Sequence, residues 1–131
     1  MKEKVVLAFS GGLDTSFCVP WLMHEKGLEV HTVIVGAATH TCIDAVADYY
    51  ARGIKYLIFG NVLKNNTYPL SVSSERFFQA MAVLDHVQKV GAQYVAHGST
   101  GAGNDQVRFD LVFEVLAPEV KILAPIRQLA L

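Results

Sequence analysis

Long apolar runs, charge of one sign and paired cysteines are all scarce in this sequence, and each shortage excludes something. No stretch approaches the ~20 apolar residues that a membrane-spanning helix needs. The apolar run near the start, Val5 to Phe9, is too short for a secretory leader and leads into glycines rather than a cleavage site. The reading is a cytoplasmic protein with no membrane partner. Eleven basic side chains stand against twelve acidic ones, a net charge of −1, which argues against nucleic acid held by a basic surface. Cys18 and Cys42 are far apart and form no Cys-x-x-Cys pair, so both read as buried, reduced thiols. The five histidines have no ligand-like spacing with one another or with cysteine. No protein-held metal site is expected.

At 131 residues the chain is long enough for one domain, and its apolar content of 52% against 18% charged allows a real core. Strands and helices alternate along it. Lys4–Phe9 is a β-branched apolar run suited to a buried parallel strand, followed by a helix from Asp14 to Lys26 with Leu13, Phe17, Trp21 and Leu22 on one side. Pro20 should bend that helix, and Gly27 stands where its C-cap belongs. Val30–Val35 and Ala38–Ile43 read as strands. A helix over Ala45–Phe59 follows, with Val46, Tyr49, Tyr50 and Leu57 as its apolar face. Asn61–Pro69 is a polar, turn-rich loop. Ser73–Val90 has a helical stripe at Phe77, Met81, Leu84 and Val87, and Gly91 ends it. Gln93–His97 is a strand and Gly98–Asn104 a glycine-rich loop. Asp105 caps a helix with Phe109, Val112, Phe113 and Leu116 inward; Pro118 stops it, and Val120–Ala124 is the last strand. The pattern is α/β, with a mainly parallel twisted sheet and flanking helices.

One join conflicts with that regularity. Parallel neighbours need a crossover of a dozen or more residues, yet few residues separate Val35 from the next strand. Either these two strands form an antiparallel hairpin or a helix-bearing segment is missing near Val35–Gly36; the regular pattern elsewhere favours the missing segment.

Chemistry concentrates in two glycine loops. Ser10-Gly11-Gly12-Leu13-Asp14-Thr15-Ser16 lies between a strand and a helix start, the arrangement that cradles phosphate with backbone N–H groups and the helix dipole. Ser10, Thr15 and Ser16 add hydroxyl donors. No lysine follows Gly12 as a Walker loop requires, and the glycine spacing is not that of a dinucleotide fingerprint. The second loop, His97-Gly98-Ser99-Thr100-Gly101-Ala102-Gly103-Asn104-Asp105-Gln106-Val107-Arg108-Phe109, is another strand-to-helix cradle. It offers a hydroxyl, an amide, an acid, and an arginine suited to a bidentate carboxylate contact.

The first loop resembles the pyrophosphate loop of the N-type ATP pyrophosphatases. Together with the second loop, and with Tyr68-Pro69-Leu70 followed by Ser73-Ser74-Glu75-Arg76, it closely resembles the argininosuccinate synthetase family over essentially the whole chain. The resemblance implies an adenine-nucleotide alpha-hydrolase-like, Rossmann-like fold. It implies a ligase that uses ATP with Mg2+ to join citrulline and aspartate through a citrullyl-adenylate, releasing AMP and pyrophosphate. By position, Ser10, Gly11, Gly12, Asp14, Thr15 and Ser16 would hold the pyrophosphate portion of ATP, with Ala8 and Gly98 against the nucleotide. Tyr68, Ser73 and Arg108 would contact citrulline. Thr100, Asn104 and Asp105 would hold aspartate, with Asn104 reaching citrulline too. Asp14, Asn104 and Arg108 are the expected catalytic positions, and Asp14 either faces the metal or caps its helix. The family's chain is longer. The resemblance therefore implies that a second domain, and the homotetramer built with it, lie outside this sequence. Two rivals remain open at this point: an enzyme adenylating a tRNA base for thiolation, and a non-catalytic nucleotide sensor.

Overall fold

The computed structural model describes residues 2–34, 41–101 and 104–129. In chain order the elements are β1 (Lys4–Ala8), α1 (Leu13–His24), β2 (Glu29–Ile34), β3 (Thr41–Cys42), α2 (Val46–Tyr49), a π-helical turn (Tyr50–Ile54), α3 (Lys55–Phe59), β4 (Leu63–Lys64), β5 (Tyr68–Pro69), α4 (Ser71–Val90), β6 (Tyr94–His97), α5 (Asn104–Leu116), β7 (Lys121–Leu123) and α6 (Pro125–Gln128).

Five strands form one parallel sheet in the order β3-β2-β1-β6-β7. Period-two alternation in the central strand divides the core. Val5 and Leu7 point to one face, where Cys18 and Leu22 of α1 and Ile126 of α6 cover them with Leu28 and Ala96. Val6 points to the other, packed with Val33, Val95, Ala80, Val83, Leu84 and Val87 of α4 and Val112 and Phe113 of α5. Helices on both faces allow β1 to be apolar throughout. Gly91, at φ +64, ends α4 in the left-handed conformation, and the Ala92 N–H closes on the Val87 carbonyl at 3.0 Å.

The strand–helix order and the mainly parallel α/β sheet agree with the sequence reading. Several details differ. β3 runs parallel to β2, with Val33 opposite Thr41 and Ile34 opposite Cys42, which overturns the antiparallel hairpin. Val35 and residues 38–40, expected at the ends of those strands, lie outside the described residues. In α1 the buried positions are Thr15, Cys18 and Leu22, whereas Leu13 and Phe17 are exposed, because the helix start turns its threonine under the glycine loop. Pro20 is exposed, and α1 continues past it to His24. The helix expected over Ala45–Phe59 is split by the π turn at Gly53, where a β-carbon would approach the Phe78 ring to 3.0 Å. Val46 and Tyr50 are exposed rather than inward, as is Leu116 in α5. The polar loop 61–69 contains a hairpin of β4 and β5, with Asn65 and Asn66 at positive φ. Cys18 is buried as expected, but Cys42 is exposed. No helix among the described residues is long and apolar enough to cross a membrane.

Candidate functional site

β1 and β6 are neighbours, with Ala8 opposite His97. The chain leaves β1 into α1 on one face and leaves β6 into α5 on the other. This is the switch point at which open α/β sheets bind ligands, in the crevice beyond the carboxyl ends of the strands. A cleft of about 560 Å³ opens there. Ala8, Ser10, Gly12, Asp14 and Thr15 line it from the first loop, His97, Gly98, Ser99 and Asp105 from the second, and Arg76 and Gln79 from α4.

The first loop is braced from within. Thr15 is buried; its hydroxyl donates to the Gly12 carbonyl (3.2 Å), accepts the Ser10 N–H (3.3 Å) and meets the Ser10 hydroxyl at 3.1 Å. The Gly12 N–H in turn points at Ser10 Oγ, 3.4 Å away. Of the three hydroxyls expected to serve a ligand, that of Thr15 therefore holds the loop's own shape. Gly11, at φ +78, makes the reversal that a side chain would strain. The N-cap of α1 is Gly12, without a side-chain cap bond, so the first amides of the helix lack an internal side-chain acceptor. Asp14 is thus not the cap. It is exposed in the first turn and lines the cleft.

The second loop presses against the first. A β-carbon at Gly98 would lie 2.7 Å from Thr15 Cγ2. Asp105 is the second residue of α5 rather than its cap. Its Oδ1 accepts from Arg108 Nη1 at 3.0 Å and its Oδ2 from Arg76 Nε at 3.3 Å. Arg76 also donates to Gln79 Oε1 at 2.7 Å. Asp105 and Arg108 thus hold each other, with a second guanidinium on the far side of the carboxylate. That cluster is suited to an amino acid, which brings both an ammonium and a carboxylate.

Behind the loop His97 is almost fully buried. Its Nδ1 accepts the Ser99 N–H at 3.3 Å, which places the proton on Nε2, 2.9 Å from Asp110 Oδ1. Burial pushes the His97 pKa below 6.5, opposed in part by the bond to Asp110. Burial alone would raise Asp110, but hydrogen bonds from Arg127 (Nη1 to Oδ2, 2.9 Å) and His97 hold it below 3.8.

Of the positions expected from the sequence, Ala8, Ser10, Gly12, Asp14, Thr15, Gly98 and Asp105 line one cleft, and Arg108 joins it through Asp105. Gly11 and Ser16 belong to the same loop without lining the cleft. Thr100 and Asn104 are exposed at the loop's rim, Tyr68 is exposed on β5 and Ser73 sits in the first turn of α4; none of these four lines the cleft. Ala102 and Gly103 lie outside the described residues. Among the described residues no group of three acidic, histidine or cysteine side chains is arranged to hold a metal.

A family model described as the arginosuccinate synthase N-terminal HUP domain matches residues 4–38 and 32–131. The chain belongs to the argininosuccinate synthase family. Argininosuccinate synthase of Sulfolobus acidocaldarius is 42% identical to it, over 95% of this chain and 36% of the relative. The enzymes of that name from Saccharolobus solfataricus and Thermosynechococcus vestitus are 43% and 41% identical, over 95% and 96% of this chain and 36% of their own lengths. The chain thus spans about a third of the length of these relatives.

The structure also brings together residues that sequence reasoning passed over. Arg76 stood in the quoted Ser-Ser-Glu-Arg stretch without a role, because its partner Asp105 comes much later in the chain. His97, Asp110 and Arg127 form a line of hydrogen bonds that no local spacing announces.

Proposed function

We propose that the chain is the nucleotide-binding part of an enzyme that joins citrulline to aspartate at the expense of ATP. The ureido oxygen of citrulline attacks the α-phosphate, pyrophosphate leaves, and the aspartate amine then displaces AMP from the citrullyl-adenylate. The observation that carries the reading is the meeting of two glycine loops, Gly98 against Thr15, beside a carboxylate flanked by two arginines.

In this reading the Gly11 amide, the Ser10 and Ser16 hydroxyls and the uncapped first amides of α1 stabilise the departing pyrophosphate, with Gly12 as the N-cap, Thr15 setting the loop's shape, and Ala8 and Gly98 against the nucleotide. Mg2+ fits a site with few protein ligands, since it is commonly held by one or two carboxylates plus substrate phosphates, and Asp14 is the exposed carboxylate on the cleft. The ion would supply charge neutralisation on the phosphates. Asp105 and Arg108 orient amino-acid substrate, with Thr100, Asn104, Tyr68 and Ser73 closing on it from the rim. Holding both nucleophiles in line is the main catalytic task of such a site.

The same reading makes the enzyme cytoplasmic and, at full length, a homotetramer with a second domain. It also keeps the missing segment near Val35–Gly36. In support, only residues 35–40 separate two parallel strands, and the family model matches as two stretches that overlap there. A measured intact mass well above 14.3 kDa for the natural protein is the expected result, and a mass of 14.3 kDa would refute that part.

The experiment is AMP release from MgATP by the product of the intact gene, omitting citrulline and aspartate in turn. AMP formed only with both amino acids is expected. AMP formed without them, or only when RNA is added, overturns the proposal.

A further inference from the structure

The second glycine loop is gripped at two points, Ser99 and Gly101, by one continuous set of side chains that the proposed chemistry does not use. At its start the Ser99 N–H donates to His97 Nδ1 (3.3 Å), and His97 Nε2 lies 2.9 Å from Asp110 Oδ1. Asp110 Oδ2 accepts from Arg127 Nη1 (2.9 Å), and the same nitrogen donates to Gln106 Oε1 (3.1 Å). Gln106 Nε2 returns to the loop, donating to the Gly101 carbonyl at 2.9 Å. The path therefore runs from Ser99 to Gly101 through four side chains, closing a ring around the loop backbone. Arg127 reaches it from α6, which packs on the α1 face of the sheet, whereas Gln106 and Asp110 belong to α5 on the opposite face.

The geometry points to His97, Asp110, Arg127 and Gln106 as a clamp of positioning residues that fixes the shape of the loop at residues 98–101. The loop needs such a device. Glycines at 98 and 101 leave its backbone free to adopt many conformations, while the approach of Gly98 to Thr15 leaves almost no space for error. A ring that holds one N–H and one carbonyl two residues apart restricts those backbone torsions, and of its four side chains only His97 also lines the cleft. His97 gives the ring a rigid anchor, since it is buried beside Phe109 and Phe113. Arg127 closes it and is its most exposed ion-pairing member. None of the four is a catalytic residue; they act through the loop. That the held shape is the one that receives nucleotide rests on the proposed function.

The test combines amide hydrogen exchange at Ser99 with MgATP affinity, both on the product of the intact gene. In Arg127→Met, Ser99 exchange is expected to accelerate at least about tenfold while the amides of Val5, Val6 and Leu7 keep their protection, and the MgATP dissociation constant is expected to rise about fivefold or more. Arg127→Lys, which retains a donor to Asp110, recovers part of both. Unchanged Ser99 exchange in Arg127→Met with β1 intact overturns the clamp. Faster exchange with unchanged MgATP affinity overturns its role in binding. Should Arg127→Met lose the β1 protection as well, Gln106→Leu opens the ring from its exposed side, and the same two readouts decide. A wild-type full-length protein that binds no MgATP counts against the proposed function, whereas Ser99 exchange still decides the clamp.

Discussion

Gly98 and Thr15 meet at a distance that excludes any side chain at position 98: a β-carbon there would lie 2.7 Å from Thr15 Cγ2 and 3.4 Å from the Thr15 amide nitrogen. Thr15 cannot withdraw, because its hydroxyl is bonded to Gly12 and Ser10. Gly98→Ala should therefore cost about 1–3 kcal/mol of stability, the usual penalty of overpacking, and weaken MgATP binding as the two loops separate. Thr15→Ser keeps the hydroxyl and removes the clashing methyl, so adding it to Gly98→Ala should recover most of the loss. Urea unfolding of the four chains measures this, and simple additivity of the two substitutions would contradict the contact.

On the proposed function, Asp105 between Arg76 and Arg108 makes amino-acid binding in the cleft sensitive to fork geometry. Arg108→Lys preserves the charge but not the planar pair of donors. It should raise the KM for citrulline about tenfold, equivalent to roughly 1.4 kcal/mol, and leave MgATP affinity within about twofold. Steady-state kinetics of the full-length enzyme, with each substrate varied, tests the assignment. Unchanged citrulline kinetics would remove Arg108 from the site.

The His97–Asp110 pair predicts two separate pH windows for stability. Burial holds His97 below its ordinary 6.5, so the unfolded chain takes up a proton there that the folded chain resists. Stability should fall as pH drops from about 6.5 toward the lower folded value. For Asp110 the two effects of environment oppose, burial upward and its hydrogen bonds downward, with the net result below 3.8. Its contribution is present above 3.8 and is lost as pH falls through the folded value. Thermal unfolding between pH 8 and 3 should show both declines, and His97→Gln should reduce the upper one, leaving the share of His86, whose pKa burial also lowers. A flat Tm from pH 7 to 5 would mean that His97 accepts a proton in place.

The two thiols should differ sharply in reactivity. Burial, with a smaller contribution from the Asp14 charge, pushes Cys18 up to about 11, and its side chain is fully enclosed. Cys42 is exposed on the short edge strand β3. A thiol reagent at pH 8 should label one cysteine per native chain at once and the second only on unfolding. Cys42→Ser should abolish the fast phase. Rapid labelling of both thiols would show that α1 opens readily from the sheet.

Local patterns were legible in the sequence. Alternating strand and helix signals placed most elements within a few residues, and both glycine loops were readable because a phosphate cradle is built from neighbours in the chain. What escaped was decided by partners distant in sequence. The apolar spacing of Leu13 and Phe17 suggested a core face, but the loop's need for Thr15 beneath it turned α1 the other way. The Asn65-Asn66 pair signalled a turn, and only the pairing of Lys64 with Tyr68 makes it a hairpin. Arg76 was visible as part of a motif, yet its role depends on Asp105 being brought beside it by the packing of α4 on α5. The direction of β3 could not be read from spacing, since the chain between 34 and 41 is shorter than a parallel crossover normally requires.

The adjacency of β1 and β6 has a consequence for how the protein comes into being. One glycine loop of the cleft is written in the first sixteen residues, Arg76 and Gln79 of α4 add a wall, and the second loop begins at His97, so the two loops are joined only when Ala8 pairs with His97. A growing polypeptide that has formed β1, α1 and β2 has a complete glycine loop and no binding site. Closure of the sheet at its centre and creation of the site are a single event, which must wait for β6 and bear the entropy of a long loop. Neither glycine loop alone makes the cleft.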